Sequence, residues 1–113
     1  MSLRMDSDEL KKLWVGTYSG AKFYPFNPQP KDILFDDIAH ALSRVCRFGG
    51  HTQRFWTVAA HSLVVSDICA SLAQPGEEAR SYALMGLFHD GSEAFIGDVT
   101  RPLKKAMLDY QLL

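Results

Sequence analysis

Residues 84–98 read Leu84-Met85-Gly86-Leu87-Phe88-His89-Asp90-Gly91-Ser92-Glu93-Ala94-Phe95-Ile96-Gly97-Asp98. An apolar helical segment ends here in an adjacent histidine and aspartate, and two further carboxylates follow at Glu93 and Asp98. Imidazole and carboxylate groups without thiolates are typical ligands of borderline and hard divalent cations. The run therefore predicts a metal site at the end of a helix.

A second histidine stands on the preceding helical segment. His61 lies in Ala59-Ala60-His61-Ser62-Leu63, and its imidazole can approach the pair if the two helices lie side by side. On an ideal helix His89 and Asp90 point about 100° apart, so both reach one ion only near a helix end or against another helix. A lone histidine on an apolar face is more often a hydrogen-bonded core residue than a ligand. The combination with His61 is what favours a metal site.

Three central segments carry helical periodicity. They begin after Asp36-Asp37, run from about Trp56 to Ala73, and begin again at Glu77-Glu78. We therefore predict an all-α fold. The residues expected on the buried face of the middle helix are Val58, His61, Val65, Ile68 and Leu72.

The two ends of the chain have weaker patterns. Residues 1–10 are expected to be peripheral. Residues 16–32 are rich in glycine, proline and aromatic residues, which favours an irregular segment with a hairpin around Ser19-Gly20. Its aromatic residues are expected to cover one end of the helices. Pro102 suits the first turn of a last helix that continues to Leu113.

Composition favours one small domain over residues 1–113. The chain is 47% hydrophobic, which is adequate for a single core, and its formal net charge of −1 gives no global field that attracts nucleic acid. No apolar run approaches the ~20 residues that span a bilayer, and no secretory leader is evident. Cys46 and Cys69 lie outside any CxxC pattern and are expected to be buried thiols. We expect a cytoplasmic protein without membrane or nucleic-acid partners.

Three longer strings resemble one family of enzymes. They are SRVCRFGGH at 43–51, WTVAAHS at 56–62 and HDGSEAFIGDVTRPLK at 89–104. Over roughly Trp14 to Lys105 the chain resembles the HD-domain metal-dependent phosphohydrolases, in the branch that contains the bacterial 5′-deoxynucleotidases and related phage and bacterial proteins. The resemblance implies a helical HD bundle with one divalent metal ion (Mn, Co, Fe, Ni or Mg). It also implies hydrolysis of nucleoside 5′-monophosphates to nucleoside and phosphate.

The resemblance assigns roles position by position. Glu93 matches an acid that handles the attacking water, Asp98 matches an acid near the sugar, and Arg47 matches an arginine that contacts the phosphate. The chemistry agrees, because a carboxylate can take a proton from water and arginine offers phosphate a bidentate fork. The residues that match metal ligands are His61, His89 and Asp90.

Each of these residues also has a structural interpretation. Glu93 can be a solvated charge at a helix end, Asp98 can cap a turn, and Arg47 can interact with the dipole of a helix C-terminus. Arg101 and Lys104 lie on one side of a helix start and can add positive potential near the site, but basic residues on a surface helix are usually solvated, so we assign them no role. We expect His40 and His51 to be structural or exposed.

The end of the chain departs from the family pattern. HD hydrolases complete the metal shell with an aspartate well beyond the His-Asp pair, whereas Asp109 is the sole aspartate near this terminus and lies too early. The apolar run at 107–113 also has no helix stop signal, so we expect an HD domain truncated at its C-terminus. Two hypotheses follow: the metal binds weakly, and uncovered apolar surface is buried by self-association into a homo-oligomer.

Three functions are compatible with these residues. The first is a divalent-metal-dependent phosphohydrolase of nucleoside 5′-monophosphates. The second is a non-catalytic HD-fold remnant that binds metal or nucleotide without turnover, which the missing aspartate favours. In the third, the His-Asp pair serves only as a helix-capping and hydrogen-bonding device.

Overall fold

A computed structural model describes residues 5–107. Helices, including short 3₁₀ turns, hold 52% of these residues and strands hold 6%, so the all-α prediction is confirmed at the level of a mainly helical class. None of the helices within this part of the chain has the length and apolar content needed to cross a membrane. The α-helices are α1 (Ser7–Leu10), α2 (Phe35–Leu42), α3 (Val58–Ser71), α4 (Glu77–Phe88), α5 (Glu93–Ile96) and α6 (Arg101–Ala106). The 3₁₀ turns are Pro30–Asp32 and Phe48–Gly50, and the strands are β1 (Val15–Gly16) and β2 (Lys22–Phe23).

Helices α3 and α4 pack along each other and form the central helical hairpin. Gly86 lets them approach closely, since a Cβ atom at this position would lie 2.9 Å from the Val65 carbonyl oxygen and 3.0 Å from Cys69 Sγ. The Ser66 hydroxyl also donates a hydrogen bond to the Ala83 carbonyl at 2.8 Å. The two helices are therefore joined through small residues at nearly backbone-to-backbone distance.

The N-terminal segment folds back as the predicted hairpin. Strand β1 pairs antiparallel with β2, with Val15 opposite Phe23. Gly20 in the connection has a φ of 92°, a left-handed conformation that glycine adopts without steric cost. The Phe23 ring stacks on Phe95 of α5 with ring centroids 4.1 Å apart, so this part of the aromatic segment covers a helix as predicted.

One buried carboxylate ties the hairpin to α2. Asp37 accepts hydrogen bonds from the Ser19 backbone N–H at 2.8 Å and from the Ser19 hydroxyl at 2.7 Å. The sequence places Asp37 only among the acidic residues that favour a helix N-terminus. Its side chain in fact points into the interior, where these hydrogen bonds compensate for its loss of water.

Part of the predicted buried face of α3 is wrong. Val58 is fully buried, but Ile68 is 54% exposed and Leu72, just after α3, is 76% exposed. The reason is that α4 packs on the side of α3 that carries Ser66 and Cys69. The apolar side chains of the two helices that remain largely exposed are Leu63, Val64, Ile68, Leu84, Met85 and Phe88.

The last helix is shorter than predicted. Met107 leaves the helical region with φ −100° and ψ 87°, so α6 ends at Ala106, and the predicted helix over 108–113 lies outside the described residues. Leu103 is exposed, and a helix of this length without a packed apolar face is marginal in water. Asp109 lies outside the described residues.

Candidate metal centre

The three predicted ligand side chains meet where α3 passes the end of α4. One potential ligand atom from each of His61, His89 and Asp90 lies within 4.8 Å of the other two. The Nε2 atoms of His61 and His89 lie 3.7 Å and 3.0 Å from Asp90 Oδ2. His61 belongs to the first turns of α3, and His89 is the C-terminal cap of α4. The consecutive pair thus lies at a helix end with a neighbouring helix, as its geometry requires.

A tight turn after α4 directs the chain across this cluster. The Gly91 N–H donates to the Phe88 carbonyl at 3.0 Å, and a Cβ at Gly91 would lie 3.2 Å from the same oxygen. A larger residue there would crowd the turn. Helix α5 follows at once and brings Glu93 back beside Asp90.

The hydrogen bond of His89 fixes which ring nitrogen is free. His89 Nδ1 lies 2.6 Å from the Gly86 carbonyl oxygen, which can only accept, so Nδ1 carries the proton. In the neutral ring the Nε2 lone pair then faces the Asp90 carboxylate at 3.0 Å. Two acceptors at this distance repel each other unless a proton or a metal cation lies between them. The donor set therefore fits a divalent metal, whose histidine ligands commonly donate their other N–H to a carbonyl.

His61 has the opposite arrangement. Its Nδ1 lies 3.0 Å from Arg47 Nη1, and because arginine only donates, this nitrogen must accept. Burial, followed by the positive charges of Arg47 and His89, lowers the pKa of His61, and Asp90 opposes the shift. The ring is therefore kept neutral around pH 7, as a metal ligand must be.

A cleft of about 540 Å³ opens beside the three ligands. It contains the side chains predicted for catalysis and substrate binding, which are Arg47, Glu93 and Asp98. Arg101 and Lys104, to which the sequence assigned no role, also line it. The reason is that α6 starts soon after Asp98 and presents its first turn to the cleft. Their spacing of three residues, which puts both on one side of a helix, was the available signal.

Phe48 is a further lining residue that the sequence did not single out. It is the one non-glycine residue with positive φ, at 57°, within residues 5–107. The Arg47 guanidinium carbon lies 4.6 Å from the centre of its ring. Left-handed backbone at a bulky residue costs free energy, so packing around this turn must offset it.

Glu93 is buried beside a second acid. Glu93 is only 7% exposed to solvent. Burial, and then a side-chain hydrogen bond with Asp98 and the charges of Asp90 and Asp98, raises the pKa of Glu93 to about 8, and Lys104 opposes the shift. At neutral pH the Glu93 carboxyl therefore holds a proton. The interpretation of Glu93 as a solvated helix-end charge is wrong, because the side chain is withdrawn from water.

The remaining histidines lie outside the cluster, as predicted. The His40 ring stacks on Tyr18 with centroids 3.6 Å apart, and its Nδ1 lies 3.3 Å from Arg44 Nη1. His51 is exposed. Cys46 is free and partly exposed, as is Cys69, so the thiols are unpaired as expected but less buried.

Comparison with known proteins gives two relatives. The chain is 36% identical over 98 residues to YfdR of Escherichia coli strain K12 and 38% identical over 100 residues to a protein of Rhodobacter capsulatus. Both carry names that describe them as uncharacterized. Each match covers 87% of this chain and 50% of the relative, so the chain spans about half the length of the curated relatives it matches. No family model matches the chain.

Proposed function

We propose that the protein is an HD-fold, divalent-metal-dependent phosphohydrolase that acts on nucleoside 5′-monophosphates. The supporting observation is the meeting of His61, His89 and Asp90 beside a cleft that Asp90 lines together with Glu93, Asp98 and basic side chains. A metal-binding group, a proton-holding carboxyl and positive charge in one cleft are the requirements of phosphomonoester hydrolysis. The HD fold and the nucleotide substrate rest on the resemblance of the three sequence strings.

His61, His89 and Asp90 would hold the cation. When bound, a divalent ion lowers the pKa of a coordinated water and neutralises charge on a phosphoryl oxygen. The short distance between His89 Nε2 and Asp90 Oδ2 keeps both ligand atoms close before any ion arrives. Little rearrangement of α4 is then needed for binding.

Glu93 is the residue placed to move a proton. A carboxyl with a pKa near neutrality can both take a proton from an attacking water and return one to a leaving oxygen. The hydrogen bond with Asp98 holds the Glu93 side chain in one orientation toward the cleft. Asp98, which lines the same cleft, would accept a hydrogen bond from a sugar hydroxyl.

Basic side chains that line the cleft would bind the phosphate. Arg47 can present two parallel N–H groups to phosphate oxygens, which lysine cannot do. Arg101 and Lys104 add positive charge from α6. This local charge compensates for a chain whose formal net charge is −1.

Phosphate release from a panel of nucleoside 5′-monophosphates, with Mn²⁺, Co²⁺ and Mg²⁺ added in turn, tests the proposal. We expect metal-dependent release by the chain and its loss in His89→Ala. His51→Ala is the matched control, because it removes an exposed histidine outside the cluster. Absence of release with every metal and nucleotide would contradict the hydrolase proposal.

A second candidate is an HD-fold domain that binds metal or nucleotide without turnover. The observation that favours it is the size of the ligand group, which within residues 5–107 has three members and lacks the further aspartate of the HD pattern. Calorimetric binding of a nucleotide without phosphate release would support this candidate. Loss of stability alone in His89→Ala would support a purely structural role for the pair.

A further inference from the structure

We propose that Arg47 and the metal ion compete for His61, so that metal binding releases the Arg47 guanidinium into the cleft, where it binds the phosphate of the substrate. Metal and phosphate would then bind cooperatively. The inference rests on the metal site of the proposed function and adds the device by which its two ligands are coupled.

The hydrogen bonds of the two histidines carry the argument. His89 donates from Nδ1 to a carbonyl at 2.6 Å, which leaves its Nε2 free. His61 instead accepts at Nδ1 from Arg47 at 3.0 Å. A neutral imidazole carries one N–H, so the proton of His61 lies on Nε2. Nε2 is also the atom that faces Asp90 Oδ2, at 3.7 Å.

This tautomer of His61 cannot bind a metal through Nε2. The proton has to move to Nδ1, and the ring stays neutral in both states. An N–H at Nδ1 would then face the N–H of Arg47, donor against donor. Arg47 must therefore leave His61 when the ion binds, and while it stays it stabilises the tautomer that cannot bind.

The fold lets the side chain move while its backbone stays in place. The Arg47 N–H donates to the Trp56 carbonyl at 2.8 Å, and the neighbouring Cys46 forms a bridge with Thr57. The Arg47 side chain already lines the cleft, together with Arg101 and Lys104. Arg101 and Lys104 share its positive charge, whereas Asp90 and Asp98 line the same cleft, so a bound phosphate adds an anion that holds the released guanidinium among the basic side chains. Occupation by phosphate would in turn hold Arg47 away from His61, and the coupling is reciprocal.

Titration calorimetry with Mn²⁺ tests the competition without an activity assay. We expect Arg47→Ala to bind Mn²⁺ about five-fold or more tightly than the wild type, at the lower end of typical couplings between sites. Inorganic phosphate should raise the Mn²⁺ affinity of the wild type and leave that of Arg47→Ala unchanged. Arg47→Met keeps an unbranched apolar side chain and should bind Mn²⁺ as Arg47→Ala does. Agreement between the two variants would show that the effect does not come from a folding defect of Arg47→Ala.

Arg44→Ala is the matched control. It removes the same charge three positions away, from an arginine whose histidine partner is His40, at 3.3 Å and outside the cluster. We expect no change in Mn²⁺ affinity. An equal rise in Arg44→Ala and Arg47→Ala would overturn the inference, since it would show a general effect of charge.

The ring nitrogens of His61 distinguish hydrogen bonding from charge repulsion. In ¹⁵N NMR spectra, we expect Nδ1 to be unprotonated in the metal-free wild type and protonated after Zn²⁺ is added. A tautomer that is unchanged by Zn²⁺ would overturn the inference even if Arg47→Ala binds metal more tightly. Absence of any metal binding would overturn the proposed function itself. Binding that is lost in His89→Ala but unaffected by Arg47→Ala would overturn the inference alone.

Discussion

Glu93 differs from a surface carboxylate in its burial and in its raised pKa. Replacement by glutamine keeps the size and hydrogen bonding of the side chain and removes its ability to transfer a proton. We expect Glu93→Gln to lower the rate of phosphate release by about 10²- to 10⁴-fold, the usual contribution of general acid–base catalysis. Calorimetry should show that Mn²⁺ still binds.

Glu78→Gln, at an exposed position in the first turn of α4, is the control for Glu93→Gln and should leave the rate unchanged. A rate in Glu93→Gln within two-fold of the wild type would show that Glu93 does not transfer a proton in the reaction.

Asp37 makes the stability of the folded protein depend on pH. The Ser19 hydroxyl, the largest cause, lowers the folded-state pKa of Asp37, so the unfolded chain takes up a proton at higher pH than the folded protein does. The stabilisation is thus full above the unfolded pKa of about 4 and is lost as pH falls through the lower folded pKa. We expect the urea midpoint to fall with acid in the wild type. In Asp37→Asn it should be lower at neutral pH and less sensitive to acid.

Asp36→Asn changes the preceding, exposed residue of α2 and should leave the urea midpoint and its pH dependence as in the wild type. Identical acid sensitivity in wild type and Asp37→Asn would show that Asp37 is not the responsible group.

At the level of single residues, the sequence predicted which side chains meet but not which of their atoms carry protons. Residue type and helix position were enough to bring His61, His89 and Asp90 together. Neither reports which ring nitrogen holds a proton, because that depends on a carbonyl in one case and on an arginine side chain in the other. The raised pKa of Glu93 was likewise not predictable from the sequence, since burial depends on three-dimensional packing.

Among the elements, the start of α3 and the break between α3 and α4 were more predictable than the faces by which the helices pack. Thr57 accepts a hydrogen bond from the Ala60 N–H at 3.0 Å and starts α3, and Pro75-Gly76 separates α3 from α4. These signals are local. The face by which α3 contacts α4 is not a local property. Leu63, Val64 and Ile68 stay exposed, while Ser66 lies at the contact with α4. Hydrophobic periodicity measures apolar content and does not register a close approach of backbones.

Gly86 provides a test of the α3–α4 contact. The atoms that a Cβ would meet at 2.9 Å and 3.1 Å belong to the backbone of Val65 and Ser66, which cannot rotate away. We expect Gly86→Ala to reduce the free energy of unfolding by roughly 1–3 kcal/mol, the usual cost of overpacking. Urea unfolding measures this change.

Gly16→Ala is the matched glycine substitution for Gly86→Ala, because the nearest atom to its new Cβ would be 3.6 Å away, an ordinary contact. Its stability should stay within about 0.5 kcal/mol of the wild type. If Gly86→Ala were equally mild, α4 would not need close approach to α3.

On the scale of the molecule, exposed apolar side chains predict self-association. Leu63 is 60% exposed on α3 and Met85 is 67% exposed on α4. We expect sedimentation velocity to show a mass that increases with protein concentration. The double variant Leu63→Ser with Met85→Ser should associate less and lose little stability, because both side chains are largely in water already.

Tyr18→Ser, which changes another exposed large side chain but on the N-terminal hairpin segment, is the comparison for that double variant and should associate as the wild type does. A monomeric mass for the wild type at every concentration would contradict the prediction of a homo-oligomer.

Gly86 performs two tasks with one peptide unit. Its missing side chain sets the spacing of α3 and α4, and its carbonyl oxygen holds His89 Nδ1. The packing of α3 against α4 and the orientation of the His89 ring are therefore coupled. A substitution that wedges the helices apart would loosen the imidazole without touching the cleft.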